Sequence, residues 1–151
     1  MSEQLTKAFS PARLGTLELK NRIIKAATFE GKTPDGVPGE LLLDFHKAVV
    51  QGGTAMTTIG YCTTEADGRI NDQMMWMHEG IRDQLVHMNS ELKKAAPDVK
   101  ISGQMTHCGN FSKNRKLQRL KRPLGPSRQF NMLGAPSGPV SYTHLRAHET
   151  V

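Results

Sequence analysis

The sequence predicts an α/β fold in which strands and helices alternate along the chain. Segments rich in β-branched residues alternate with segments whose apolar residues recur every three or four positions. The loops after the strands are longer than those before them, which is typical of parallel βαβ units with right-handed crossovers. Two architectures share this pattern, a doubly wound sheet and a (β/α)8 barrel. Both stay open, because neither Gly-x-Gly-x-x-Gly after the first strand nor Gly-x4-Gly-Lys-Ser/Thr occurs.

The first predicted strand spans residues 21–28, an apolar run followed by the loop-forming residues 33–39. A helix is predicted next, because apolar residues recur at helical spacing until the chain reaches Gly52 and Gly53. The apolar positions of this helix are Leu41, Leu42, Phe45, Ala48 and Val49.

The second strand is predicted at residues 54–64 from their β-branched side chains, with a loop from there to about residue 80. Residues 99–106 are predicted to form the third strand. Between them lies a second helix, which Pro97 brings to an end. Its apolar positions are Ile81, Leu85, Met88, Leu92 and Ala95.

Thr28, Tyr61 and Gln104 fall near the ends of the three predicted strands. Because the carboxyl ends of parallel strands meet at one edge, where such folds bind their ligands, we expect the three residues at one face. The carboxamide of Gln104 offers both a hydrogen-bond donor and an acceptor. The pyrimidine edge of a flavin presents the matching C=O and N–H groups, so Gln104 is the first candidate for a cofactor-binding residue.

The composition is that of one globular domain, with 151 residues, of which 37% are apolar and 23% charged. The sequence has no run of about 18 apolar residues and no secretory signal at its start, which predicts a cytoplasmic protein without a membrane partner. Cys62 and Cys108 lack the spacing of metal or disulfide motifs. We therefore predict no metal site and two inert, partly buried thiols.

The formal net charge of +6 is concentrated in residues 113–128, within a stretch from Val99 to His148 that contains no acidic residue. A basic binding or interaction module without redox activity is therefore an alternative to an enzyme. No nucleic-acid-reading module is recognisable, and a solvated basic loop near an anionic ligand explains the charge as well, so no nucleic-acid partner is predicted. The cations are Lys113, Arg115, Lys116, Arg119, Lys121, Arg122 and Arg128.

Four motifs carry a family resemblance: Phe9-Ser10-Pro11 with residues 14–23, Asp35-Gly36-Val37-Pro38, residues 68–73 (Gly-Arg-Ile-Asn-Asp-Gln) and Gln104-Met105-Thr106-His107-Cys108-Gly109. Their order and spacing resemble the old yellow enzyme family, the FMN-dependent NAD(P)H:flavin oxidoreductases, over about residues 5–139. The resemblance implies a (β/α)8 barrel with a small hairpin across its floor. This chain would be truncated and would carry the first three βα units.

The resemblance also implies non-covalent FMN at the mouth of the barrel, with hydride passing from NAD(P)H via the flavin to an electron-poor alkene or enone. By position, Ala26, Ala27 and Thr28 would meet the isoalloxazine ring largely through their backbone, and Gln104 would hydrogen-bond its pyrimidine part. Small side chains at positions 26 and 27 suit this role, because a flat ring approaches the backbone only where side chains do not intrude.

Two aromatic residues depart from the better-known members. Tyr61 would lie beside the ring, where the family commonly has a small residue. Phe29 takes the place of a Thr or Cys that often tunes the flavin. The two departures indicate a distinct subgroup, whose substrate the sequence does not identify.

The resemblance places the proton-handling His/His or His/Asn pair, the catalytic Tyr and the phosphate-binding loops downstream of this chain, so no catalytic residue is assigned and the fragment alone is expected to be inactive. An iron–sulfur cluster, found in larger relatives, would also lie downstream and stays open, as does the oligomeric state. Residues 1–139 are expected to form the N-terminal part of the barrel. Residues 140–151 resemble translated sequencing-adapter DNA and are expected to be a non-native tail.

No histidine of this chain is assigned the role of the missing catalytic groups. His107 is expected to be structural, because the family has a histidine in the same strand in addition to the later pair. Outside the expected tail, the other histidines are His46, His78 and His87, which lie in or beside predicted helices and are expected to be surface or hydrogen-bonded residues.

Overall fold

A parallel three-stranded sheet forms the centre of the protein. The computed structural model describes residues 3–112 and two short segments, 124–125 and 141–142. The central strands are β3 (Ile24–Lys25), β4 (Met56–Thr63) and β5 (Lys100–Thr106), in the order β3-β4-β5. Helices α2 (Glu40–Gln51) and α3 (Arg82–Ala95) connect them. The predicted alternation of strands and helices, and with it the α/β class, is confirmed.

A helix and a hairpin precede the sheet. The helix, α1 (Glu3–Ala8), was not predicted from the sequence. The hairpin strands, β1 (Ala12–Leu14) and β2 (Leu17–Leu19), pair antiparallel around a turn in which Gly15 has a φ of +61°. This positive φ favours glycine, because other residues adopt it at a steric cost. The hairpin that the family resemblance implied is therefore present.

Strand β3 is much shorter than the predicted 21–28. Before it, the Asn21 side chain accepts a hydrogen bond from the Ile23 backbone N–H (3.0 Å) and donates one to the Gly53 carbonyl (2.8 Å), which fixes the entry into the strand. After Lys25 the pairing with β4 stops and returns only as an isolated bridge between Phe29 and Gly60. Residues 26–28 consequently stand outside the β-ladder.

The core lies where α2 and α3 pack against each other and against one face of the sheet. Both helices end as the sequence predicts, α2 just before Gly52 and Gly53, and α3 just before Pro97. No helix among residues 3–112 is long and apolar enough to cross a membrane. The buried residues that contribute most to this core include Leu42, Leu43, Val50, Ile59, Met88, Leu92 and Val99.

The long loop after β4 returns along the end of that strand. The Thr63 N–H donates to the Met75 carbonyl at 2.9 Å, and the Met77 N–H donates to the Thr63 carbonyl at 2.7 Å. Two further short strands, β6 (Leu124–Gly125) and β7 (Ser141–Tyr142), pair in parallel. Otherwise the basic segment 113–128 and the expected tail 140–151 lie outside the described residues.

Candidate functional site

A β-bulge shapes the carboxyl end of the central sheet. Ile59 pairs with Gly103, but the next recorded pair is Cys62 with Met105, so two residues of β4 stand opposite one residue of β5. The two are Gly60 and Tyr61, and the one is Gln104. A bulge of this kind turns side chains locally and is common beside active sites. It brings two of the predicted site residues, Tyr61 and Gln104, next to each other.

Gly60 also connects β4 to the predicted flavin-contacting segment. A methyl group placed on Gly60 would come within 2.7 Å of the Thr28 carbonyl oxygen and 2.8 Å of the Thr28 nitrogen, with the Ala27 Cβ at 3.2 Å. The backbones therefore touch at a distance that only glycine permits. Sequence reasoning missed Gly60, although a glycine inside a β-branched run signals a bulge or a close backbone approach.

The site residues lie in one row across the sheet edge. Residues 26–28 are followed by the bridge from Phe29 to Gly60, and the Gly60–Tyr61 bulge faces Gln104. Two strand spacings separate the ends of this row, roughly 10 Å. The structure thus brings together Ala27, Thr28, Tyr61 and Gln104, with Ala26 directly before them.

The surface of this row suits a planar heterocycle. Ala26 and Thr28 are exposed and Ala27 is half-buried. Gln104 is exposed as well, and its carboxamide, which carries both a donor and an acceptor, makes no hydrogen bond to another described residue. Small side chains beside a free amide are what a flat ring with a C=O/N–H edge requires, so these residues fit FMN.

Phe29 and Tyr61 form an aromatic pair next to this surface. Their ring centroids lie 6.2 Å apart with an interplanar angle of 29°, and each residue is 40% exposed. Exposed aromatic side chains in contact with one another offer an apolar face for a planar ligand. The two residues that depart from the better-known family members are therefore neighbours and contact each other.

His46 differs from the expectation of a surface or fully hydrogen-bonded histidine. It is completely buried on α2, where Nδ1 shares a hydrogen bond of 2.7 Å with the Thr57 hydroxyl and Nε2 makes no hydrogen bond to a described residue. Burial and the nearby positive charge of Lys25 lower its pKa to about 4. Burial on the helix side of the sheet follows from the packing of α2 on β4, which helical spacing alone did not assign.

The other two helix-associated histidines agree better with their expected surroundings. His78 is half-buried, its Nδ1 accepts a hydrogen bond from the Gly80 N–H at 3.1 Å, and its ring stacks on Trp76 with centroids 4.0 Å apart. His87 is exposed on α3, with Nε2 3.8 Å from a carboxylate oxygen of Glu40.

His107 packs against the loop that follows β4. Its ring rests on Gly68, where an added Cβ would lie 2.6 Å from the imidazole Cδ2, and its Nδ1 accepts a hydrogen bond from the Gly109 N–H at 2.9 Å. The ring also comes near Glu65 and Asp67, with possible ligand atoms of the three residues within 4.8 Å of one another. Glu65 is exposed and Asp67 half-buried, and no second feature of the described residues indicates an ion there.

Arg69 joins two of the motifs that carry the family resemblance. It is buried, and its guanidinium donates through Nε to the Ala66 carbonyl (3.0 Å) and through Nη1 to the Asp35 carbonyl (3.3 Å). Gly36 lies directly beneath it, since an added Cβ would be 2.6 Å from Nη1. The loops after β3 and β4 are thus fixed relative to each other.

Both thiols are free and surrounded by protein. Cys62 is buried, and burial together with the charge of Glu30 raises its pKa to about 11, while burial raises the pKa of the half-buried Cys108. Thiols with raised pKa values carry little thiolate at neutral pH and are poor nucleophiles and poor metal ligands.

Three parallel strands, helices packed on one face and a hairpin before β3 are the architecture of part of a TIM barrel. Solved structures show the same fold. Morphinone reductase in complex with tetrahydroNAD superimposes with a TM-score of 0.69 and 20% identity over 81% of this chain and 33% of that one. The old yellow enzyme from Trypanosoma cruzi superimposes with a TM-score of 0.70 and 15% identity, over 93% of this chain and 41% of that one.

Sequence comparison finds a relative that is also a reductase. The chain is 42% identical over 123 residues to the 4,4'-dithiodibutanoate disulfide reductase of Rhodococcus erythropolis, a match that covers 82% of this chain and 30% of the relative. No family model matches the sequence. The similarity to old yellow enzymes that the four motifs indicated is confirmed, and the chain spans about a third of the length of the proteins it resembles.

Proposed function

We propose that this chain is the N-terminal part of a longer FMN-dependent NAD(P)H oxidoreductase and forms one wall of its flavin site. One observation supports the proposal: residues 26–28, Tyr61 and Gln104 lie in one row at the carboxyl edge, through the Phe29–Gly60 bridge and the bulge opposite Gln104. The bound FMN would supply the ability to accept and return hydride, while the protein supplies position and hydrogen bonds.

Each residue of the row has a separate binding role in this proposal. Ala26 and Ala27 let a flat ring approach the backbone, and the Thr28 backbone lines the same surface. The Gln104 carboxamide donates to a carbonyl and accepts from an N–H of the pyrimidine edge. Tyr61 packs beside the ring. Residues 1–139 would form the barrel part, with its first three βα units, and the groups that move protons would be supplied by the downstream chain.

Two substrate classes are proposed. An electron-poor alkene or enone follows from the family resemblance, whereas the name of the Rhodococcus relative, a disulfide reductase, favours a small organic disulfide. Both are two-electron acceptors of small size, which a single flavin site can serve. Assays of one activated enone and one dialkyl disulfide with NADH and with NADPH would decide between the two substrate classes.

The experiment that tests the flavin site begins with the longer open reading frame, recovered from source DNA and called here the full-length protein. We expect it to purify with bound flavin and to bleach on addition of NAD(P)H. Gln104→Ala should weaken FMN binding by about tenfold, the effect of losing a pair of hydrogen bonds worth roughly 1–1.5 kcal/mol. Gln51→Ala is the matched control, because Gln51 is an exposed glutamine at the end of α2.

The competing function, a basic binding module, predicts the opposite result. Residues 113–128 would then hold an anionic partner, and the full-length protein would be colourless. Binding to a polyanion such as duplex DNA would fall steeply with salt, because each neutralised phosphate releases counterions. A colourless protein with this salt dependence would overturn the flavin proposal, and a yellow protein without it would overturn the module.

A further inference from the structure

Lys25 and Glu30 stand at the two ends of the segment that we propose lies under the flavin. Between them are residues 26–29, which make no continuous ladder with β4. The Lys25 ammonium forms an ion pair with the Glu30 carboxylate, so the two ends of the segment are joined through their side chains. A contact across the ends of a short loop restricts the conformations open to its interior.

The Lys25 ammonium also holds the segment from within. It donates to the Thr28 hydroxyl at 3.2 Å and to the Thr58 carbonyl of β4 at 3.1 Å. With Glu30, these acceptors satisfy all three N–H donors of the ammonium group. The cation therefore ties residue 28 both to the base of its own segment and to the neighbouring strand.

The pair is buried beneath an exposed surface. The side chains of Lys25 and Glu30 are 14% and 3% exposed, whereas Ala26 and Thr28, in the segment between them, are exposed. The ring of Phe45 on α2 lies 5.3 Å from the ammonium, and His46 Nε2 lies 3.8 Å from the Glu30 carboxylate. Buried ion pairs contribute little to stability after desolvation, so the value of this pair has to be sought elsewhere.

We infer that Lys25, paired with Glu30, is a positioning residue that fixes residues 26–29 in the conformation on which the flavin ring lies. The inference rests on the proposed function. Without the ammonium, the segment keeps its small side chains but loses its link to Thr58 and to Glu30. Binding would then have to order the segment, and the affinity for FMN would fall by the cost of that ordering.

The test uses apo full-length protein, titrated with FMN while flavin fluorescence and the reduction potential of the bound flavin are followed. Lys25→Met should weaken FMN binding by at least about tenfold and shift the potential. Lys47→Met is the matched control, because Lys47 forms an ion pair with Glu91 (3.3 Å) between α2 and α3, away from the site. It should leave both quantities unchanged.

A double variant separates positioning from a merely structural role. Lys25→Met alone leaves the Glu30 carboxylate buried without its cation, which destabilises the protein. Lys25→Met combined with Glu30→Met removes both charges, so thermal stability should return to near the wild-type level while FMN affinity and potential stay altered. If Lys25→Met does not fold, the double variant decides alone.

Recovery of wild-type FMN affinity in the double variant would overturn the inference, as would a Lys25→Met protein that binds like the control. Either outcome leaves the proposed function standing, because wild-type protein still binds FMN. A wild-type protein that binds no FMN overturns the proposed function, and the positioning role with it.

Discussion

The backbone of Gly60 lies directly against the backbone of Thr28, with no room for a side chain between them. Because Gly60 also begins the bulge opposite Gln104, this contact sets the distance between residues 26–28 and the pair formed by Tyr61 and Gln104. The spacing of the site is therefore fixed by backbone packing, and side chains then occupy positions that the backbone has already set.

Replacing Gly60 with alanine should move residues 26–28 away from Tyr61 and Gln104. The added methyl group would meet two backbone atoms of Thr28 below 3.0 Å, and backbone cannot rotate away as a flexible side chain can. We expect a loss of about 1–3 kcal/mol of stability, typical of overpacking, together with weakened FMN retention by the full-length protein. Chemical denaturation and flavin titration would measure the two effects.

Gly39→Ala is the control for flavin binding alone, since an added Cβ at Gly39 has no neighbour within 4 Å, whereas alanine at this N-cap position of α2 costs stability by itself. Unchanged stability and flavin binding in Gly60→Ala would contradict the close approach described above.

Sequence periodicity was sufficient for the large elements. Both helices and the two long strands follow from apolar spacing and β-branched runs. The two helices end where the sequence predicts, next to Gly52 and shortly before Pro97. The first strand was wrong in length, because its end depends on the tertiary contact between Gly60 and Thr28. The short helix α1 was missed because six residues carry too little periodic signal.

The candidate site was predictable in part. Thr28, Tyr61 and Gln104 converge at one edge as strand topology requires. The bulge, the role of Gly60 and the buried charges of Lys25 and Glu30 were not predicted, because each depends on a contact between residues far apart in the chain or on which side of the sheet a residue faces. A lysine in a strand-like run carries no signal that it is buried in the folded protein.

Replacing Gly68 with alanine should displace His107. An added Cβ would lie 2.6 Å from the His107 Cδ2, and the ring could relieve the overlap only by leaving the loop after β4. We expect roughly 1–2 kcal/mol of destabilisation and a changed His107 imidazole signal in an NMR spectrum. A Gly68→Ala protein whose His107 signal keeps its wild-type chemical shift would contradict the packing contact. Gly53→Ala is unsuitable as a control, because Gly53 has a φ of +94° and alanine would be strained there.

Residues 1–139 expressed alone should be unstable or aggregate. In the described part of the chain, Ile24, Tyr61 and Met105 are each at least 40% exposed. Within that part, β3 and β5 are the edge strands of the central sheet, and neither pairs with a strand on its outer side. Unpaired edges with exposed apolar side chains favour association between chains. Size-exclusion chromatography and thermal unfolding would test this. A soluble monomer with a sharp, reversible transition would contradict the prediction.

The stability of the full-length protein should decrease as the pH falls from about 6.5 towards 4, in part because of His46. The native state holds this buried imidazole neutral down to a pKa of about 4, beside Lys25 and Glu30, whereas the unfolded chain takes up the proton near 6.5. The unfolded state thus binds more protons across this window, and the expected loss from His46 is roughly 2 kcal/mol between pH 7 and pH 5.

His46→Gln should flatten this part of the pH dependence of the free energy of unfolding, measured by urea titration at each pH. His87→Gln, at an exposed histidine, should follow the wild-type curve. Parallel curves for wild type and His46→Gln would show that His46 titrates alike in the folded and unfolded states and would contradict its buried, neutral state.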